Sequence, residues 1–179
     1  MKKINYLIIL SAILLLVSSC GKGFSEGGYF ANAKAMVSEA RKGIEEISYD
    51  ELIQKLENGE LRFIIDVREP GKFAEGYINQ PDENDEKEYP DVVTKNIPRG
   101  LLEFKIADIT FWKNRKNMPS KDDEIIIYCK KGGRGALATE TLMKLGYKNV
   151  QNLKGGYKKW LNPDESEEDD TPAESGGCG

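Results

Sequence analysis

Glu124-Ile125-Ile126-Ile127-Tyr128-Cys129-Lys130-Lys131-Gly132-Gly133-Arg134-Gly135 is the stretch from which the fold is read. Its first part is a nearly unbroken apolar run, the pattern of a parallel strand buried on both faces and not of one with a solvated side. The run stops at Cys129 and gives way at once to two lysines, two glycines and an arginine. Leu137, Thr141, Leu142 and Leu145 then recur at helical spacing, and Gly146 supplies a stop. A strand, a short glycine-rich loop and a helix in this order make up one half of a strand-helix-strand unit.

The same grammar extends on both sides. Leu61-Arg62-Phe63-Ile64-Ile65-Asp66-Val67 is a second strand of the buried kind, ending in polar Asp66 and Arg68. Before it, residues 44–47 are short enough for an edge strand, and Ser48-Tyr49-Asp50-Glu51 has the form of a capping box opening a helix that Asn58-Gly59 closes. Residues 150–153 form a further strand, Gly155-Gly156 a tight turn and residues 157–161 a last helical turn. Residues 101–106 suit a short helix and residues 113–121 a polar loop. Residues 79–96, with six carboxylates against Lys87 and Lys95, read as a surface insertion and not as core. The expected fold is therefore α/β, a doubly wound parallel sheet flanked by helices on both faces, spanning residues 44–162.

Composition removes many chemistries before any site is named. The chain has 179 residues, enough for one ordinary domain with a leader and a tail. Histidine is absent, so there is no Ser-His or Cys-His pair and no imidazole ligand. Cys20, Cys129 and Cys178 are far apart in sequence, which leaves no Cys-x-x-Cys pattern for zinc or redox work. No metal or cofactor is expected. Seven carboxylates lie between Asp164 and Glu174, and taking them from the net charge of −4 leaves +3. Without a basic field, nucleic acid is not an expected partner.

Cys129 is the one candidate nucleophile with a suitable setting. At the carboxyl end of a buried strand it sits where open α/β sheets bind ligands. The N–H groups of its loop can form a nest for an anion at the start of the following helix. Lys130, Lys131 and Arg134 add positive charge, and dipole and cations together favour thiolate over thiol. The plain alternative is a buried cysteine acting as a small hydrophobe. Two lysines, two glycines and an arginine are poor core material and argue for the reactive role.

Asp66-Val67-Arg68-Glu69, Glu75-Gly76-Tyr77-Ile78, Asn96-Ile97-Pro98-Arg99, the loop from Cys129 to Arg134, and Leu153-Lys154-Gly155-Gly156 through Trp160 resemble, in that order, the motifs of single-domain rhodaneses. The resemblance implies a rhodanese-like doubly wound domain that moves sulfane sulfur through a cysteine persulfide. Cys129 would attack the outer sulfur of a small anionic donor such as thiosulfate, and a thiol, a cyanide-like nucleophile or a protein acceptor would take it. Lys130, Lys131, Gly132, Gly133, Arg134 and Gly135 would form the substrate loop, with Asp66 and Arg68 supporting it or forming only a surface salt bridge. Two residues depart from the family: Tyr77 stands where histidine is common, and Gly135 where a small polar residue could cap the helix. The expectation at Gly135 is a less rigid loop.

Two other classes compete. Cysteine phosphatases share the fold but use a Cys-x5-Arg loop, whereas this loop is Cys-x4-Arg and suits a sulfur atom better than a tetrahedral phosphate. A rhodanese-fold module that binds a partner or carries persulfide, with negligible turnover, is the stronger rival.

The ends of the chain carry their own expectations. A basic start, an apolar stretch over residues 6–17 and Val17-Ser18-Ser19-Cys20 read as a leader over residues 1–19, and the last four resemble a bacterial lipobox. Cys20 would then be acylated and anchor the protein to a membrane of the cell envelope, with Gly21 after it favouring the outer one. Residues 20–43 would be a glycine-rich tether and a short helix lying against the domain. Residues 163–179 read as an acidic disordered tail in which Cys178 is a possible accessory thiol for the Cys129 persulfide.

Overall fold

The computed structural model describes residues 32–165. Five parallel strands, β1 (Glu45–Ile47), β2 (Phe63–Asp66), β3 (Val93–Asn96), β4 (Glu124–Tyr128) and β5 (Asn149–Leu153), form one sheet in the order β1-β5-β4-β2-β3. Between and around them run α1 (Ala33–Lys42), α2 (Tyr49–Glu57), α3 (Pro70–Ala74), α4 (Leu102–Lys105), α5 (Ile109–Trp112), α6 (Gly133–Lys144) and α7 (Gly156–Leu161). The doubly wound parallel sheet expected from the sequence is thus present.

Alternation along the two central strands builds both halves of the core. Phe63, Ile65, Val67, Ile125, Ile127 and Cys129 face one way, and there they join Leu102 and Ile106, Trp112 of α5, and Ala138 and Leu142 of α6. Ile64, Ile126 and Tyr128 face the other way and meet Leu52 and Leu56 of α2, Ile78 and Leu153. Successive side chains of a strand point to opposite faces, so a strand covered on both sides must be apolar at every position. Ser48 caps α2 by the expected reciprocal bonds with Glu51.

Two expectations are corrected, and one helical turn falls where none was assigned. Residues 79–96 are not wholly a surface insertion, because Asn79 and Val92 are buried and Val93–Asn96 pairs in register with Phe63–Asp66 as an edge strand. An edge strand that is only half-buried throughout has no continuous apolar run to announce it. Within residues 101–121, Ile109–Trp112 forms a single helical turn that buries Trp112 completely. On α6 the buried face is Gly135, Ala136, Ala138, Thr139 and Leu142, while Leu145 is exposed. Small residues let this helix approach the sheet closely, so the larger Leu137 and Leu145 sit outside the contact.

Candidate active site

Strand order places the site. From β2 the chain moves outward to β3, and from β4 it moves the opposite way to β5. The crevice outside the carboxyl ends of β2 and β4 is therefore the topological switch point, where ligands bind in open α/β sheets. Asp66 ends β2 and Cys129 follows β4 directly. The two strands are hydrogen-bonded neighbours, with Asp66 opposite Tyr128.

Cys129 is 3% exposed, and its Sγ accepts the N–H of Gly132 at 3.2 Å. That bond needs Gly132 in the left-handed region, at φ 97°, which glycine adopts without strain. Gly132 is also the N-cap of α6, so the sulfur sits at the start of a twelve-residue helix with its dipole behind it. The other side of the loop is fastened by α7. Tyr157 N–H donates to the carbonyl of Cys129 at 2.8 Å, and Lys158 N–H to that of Lys130 at 2.9 Å. Such closeness is possible because position 156 is glycine: a methyl group there would stand 2.4 Å from the Cys129 carbonyl oxygen.

Asp66 and Arg68 form a buried ion pair, 0% and 4% exposed, and not an ordinary surface one. Arg68 Nε donates to both carboxylate oxygens, and Nη2 reaches Asp66 Oδ2 at 2.6 Å and the Gly76 carbonyl at 2.7 Å. Burial works against the guanidinium's charge, but the bonds to Asp66 outweigh it and hold its pKa above the ordinary arginine value. The same guanidinium lies 3.9 Å from the ring centroid of Tyr157. Asp66 therefore reaches the cysteine loop through Arg68 and Tyr157. Burial, then the Asp66 charge, pushes the Tyr128 hydroxyl's pKa far up, so it stays a neutral member of this layer.

The loop cations divide. Arg134 is engaged by the carboxylate of Glu69, while Lys130 and Lys131 are exposed. The backbone N–H of Glu69 and then Arg134 hold the Glu69 carboxyl below the usual range. In the sequence Glu69 and Asn96 stand out only as members of the two motifs that contain them. Asn96 Nδ2 donates to the carbonyls of both Asp66 and Arg68, fixing the turn that carries them. A charged residue one position after Arg68 was the only sequence signal for Glu69.

Gly135 corrects another expectation. It lies inside the first turn of α6, and a methyl group there would stand 2.1 Å from Oδ1 of buried Asn152. The position is glycine for close packing against β5, and loop looseness does not follow from it. Tyr77 stacks on Phe73 at 4.1 Å between centroids and is half-buried. Among the described residues, no three Cys, Asp or Glu side chains gather as a metal site would require, and no helix is long and apolar enough to cross a membrane. Cys20 and Cys178 lie outside the described residues.

A family model described as a rhodanese-like domain matches residues 48–163. A putative mitochondrial thiosulfate sulfurtransferase of Schizosaccharomyces pombe is 35% identical over 54% of this chain and 61% of its own length. A sulfurtransferase of Allochromatium vinosum is 30% identical over 65% of this chain and 88% of its own. The chain spans about three fifths of the length of the first curated relatives it matches. Among solved structures, a human single-domain sulfurtransferase superposes with a TM-score of 0.54 at 30% identity, covering 68% of this chain and 97% of that one.

Proposed function

The chain belongs to the rhodanese-like domain family, and on that premise we propose that it transfers sulfane sulfur from a small anionic donor such as thiosulfate to a nucleophilic acceptor through a persulfide on Cys129. The observation that carries this reading is the Cys129 sulfur, seated at the switch point and meeting the Gly132 N–H at the start of α6. In the first step the Cys129 thiolate attacks the outer sulfur of thiosulfate. A sulfur-sulfur bond forms on Cys129, the one within thiosulfate breaks, and sulfite leaves with its electron pair. In the second step a thiolate or cyanide attacks the terminal sulfur of the persulfide and returns Cys129 as thiolate. The Gly132 N–H faces negative charge in both steps, which is where preorganised donors act most strongly.

Thiosulfate is the donor favoured over mercaptopyruvate, because Lys130, Lys131 and Arg134 set three cations in and beside the loop. Steady-state transfer to cyanide tests this: parallel double-reciprocal lines with thiosulfate are expected of a two-step covalent transfer. Intersecting lines, or higher kcat/KM with mercaptopyruvate, would overturn it. The rival reading, a persulfide carrier with negligible turnover, draws on the Glu69 carboxylate already occupying Arg134. A turnover below one per active site in the same assay would favour it.

Attachment to a cell-envelope membrane through acylated Cys20 is part of the proposal and rests on the apolar run and Val17-Ser18-Ser19-Cys20 alone. Cys20→Ser should move the protein from the membrane to the soluble fraction; unchanged partition would contradict the anchor.

A further inference from the structure

Helix α1 precedes the residues matched by the family model, and its face lies on the cysteine loop. Val37 and Arg41, four apart and so on one side of the helix, touch successive loop residues. A methyl group at Gly133 would stand 3.7 Å from Val37 Cγ2, and one at Gly132 would stand 3.3 Å from Arg41 Nη2. The Arg41 guanidinium thus shares the space that a side chain at Gly132 would fill with the turn after β5, whose Leu153 carbonyl and Gly155 nitrogen lie 3.5 Å from the same point. Gly132 leaves the room that Arg41 occupies, whereas a methyl group at Gly133 would make only ordinary contact with Val37.

Arg41 is itself located by β1. Its Nε lies 3.4 Å from Glu46 Oε1, and the same oxygen accepts from Asn152 Nδ2 at 2.6 Å. Asn152 is fully buried and lies against Gly135. One ionic and polar row, Arg41, Glu46 and Asn152, therefore runs behind the loop and touches it at Gly132 and Gly135. The Asp66 and Arg68 pair braces the loop separately, through Tyr157, whose N–H holds the Cys129 carbonyl.

We propose that α1 is a working part of the site, with Arg41 as a positioning residue that keeps the Gly132 N–H on the Cys129 sulfur. The inference rests on the sulfur-transfer reading above. Gly132 controls two things at once: its N–H meets Sγ at 3.2 Å, and its carbonyl accepts the Ala136 N–H at 2.8 Å to start α6. A shift of Gly132 moves both the donor and the helix end away from where charge develops. As a positioning residue Arg41 acts through Gly132, so its loss slows the chemistry while donor capture by the loop cations is retained.

The test uses the full chain and the variants Arg41→Met, Arg41→Lys and Lys42→Met, the last on an outward position of the same helix. Readouts are kcat and KM for thiosulfate, the rate of iodoacetamide alkylation at the Cys129 peptide, and melting. Arg41→Met is expected to lower kcat about tenfold, with KM changed less than about twofold. Alkylation should slow in parallel, Arg41→Lys should recover part of both, and Lys42→Met should behave as the parent. Parent-like kcat and alkylation in Arg41→Met would overturn the proposal. So would a loss that only tracks the unfolded fraction, or equal loss in Arg41→Lys. Alkylation needs no sulfur donor, so a parent without transferase activity would sink the functional reading while the brace is still read out.

Discussion

At position 135 a side chain meets Asn152 before it meets anything it could cap, and the consequence is measurable. Gly135→Ser should destabilise the protein by about 1–3 kcal/mol through overpacking, seen as a lower melting temperature; an equal or higher melting temperature would restore the capping account. Glu69 is the second residue whose role emerged only in three dimensions. Its bond to Arg134 must be exchanged for a bond to the donor whenever Arg134 binds an anion. Exposed pairs of this kind are worth about 0–1 kcal/mol, so Glu69→Gln should lower KM for thiosulfate by up to about fivefold with kcat little changed. A raised KM would show instead that Glu69 aims the guanidinium. The nucleophile and its loop were legible because two lysines, two glycines and an arginine directly after a buried strand have no packing use. The partners Asn152, Glu46, Arg41 and Glu69 were not, because each reaches the loop from a distant part of the chain.

Elements divide by how much of their surface they bury. β2 and β4 are covered on both faces, so their sequences are continuous in apolar residues and could be read directly. β3 is half-buried along its length, and nothing in Val93-Thr94-Lys95-Asn96 distinguishes it from the acidic stretch before it. α5 is one turn long, too short for a period to show. α6 was placed correctly but its inward face only in part, since Gly135, Ala136, Ala138 and Thr139 make the close contact beside Leu142, while Leu145 is exposed. The junction of β2 with the cysteine loop depends on Asp66 and Arg68 together. Removing one partner of a buried pair strands the other, so Arg68→Met should cost about 3–5 kcal/mol, measurable by denaturant unfolding. A loss below about 1 kcal/mol would mean that Asp66 finds other donors.

Across the whole molecule, the absence of histidine sets the pH response. No imidazole titrates near neutrality, while several carboxylates titrate lower in the folded protein than in the unfolded chain. Ser48 hydrogen bonds lower Glu51, its own backbone and Arg134 lower Glu69, and Lys105 lowers Asp108. A carboxyl with a lowered folded pKa binds fewer protons folded than unfolded, so its stabilisation is present at neutral pH and is lost on acidification through the folded value. Melting temperature should therefore be nearly flat between about pH 6 and 8 and fall below the ordinary glutamate value of 4.5. Stability that rose on acidification would contradict this. The chain ends were legible only as patterns of composition, and the leader, Cys20 and Cys178 remain matters of sequence.

If Cys129 carries sulfur, the mass of the Cys129 peptide records it after incubation of the protein with thiosulfate and removal of excess donor. A gain of one sulfur atom is expected on that peptide, reversed by cyanide or thiol and absent in Cys129→Ser. An unchanged peptide mass in the parent protein would contradict it.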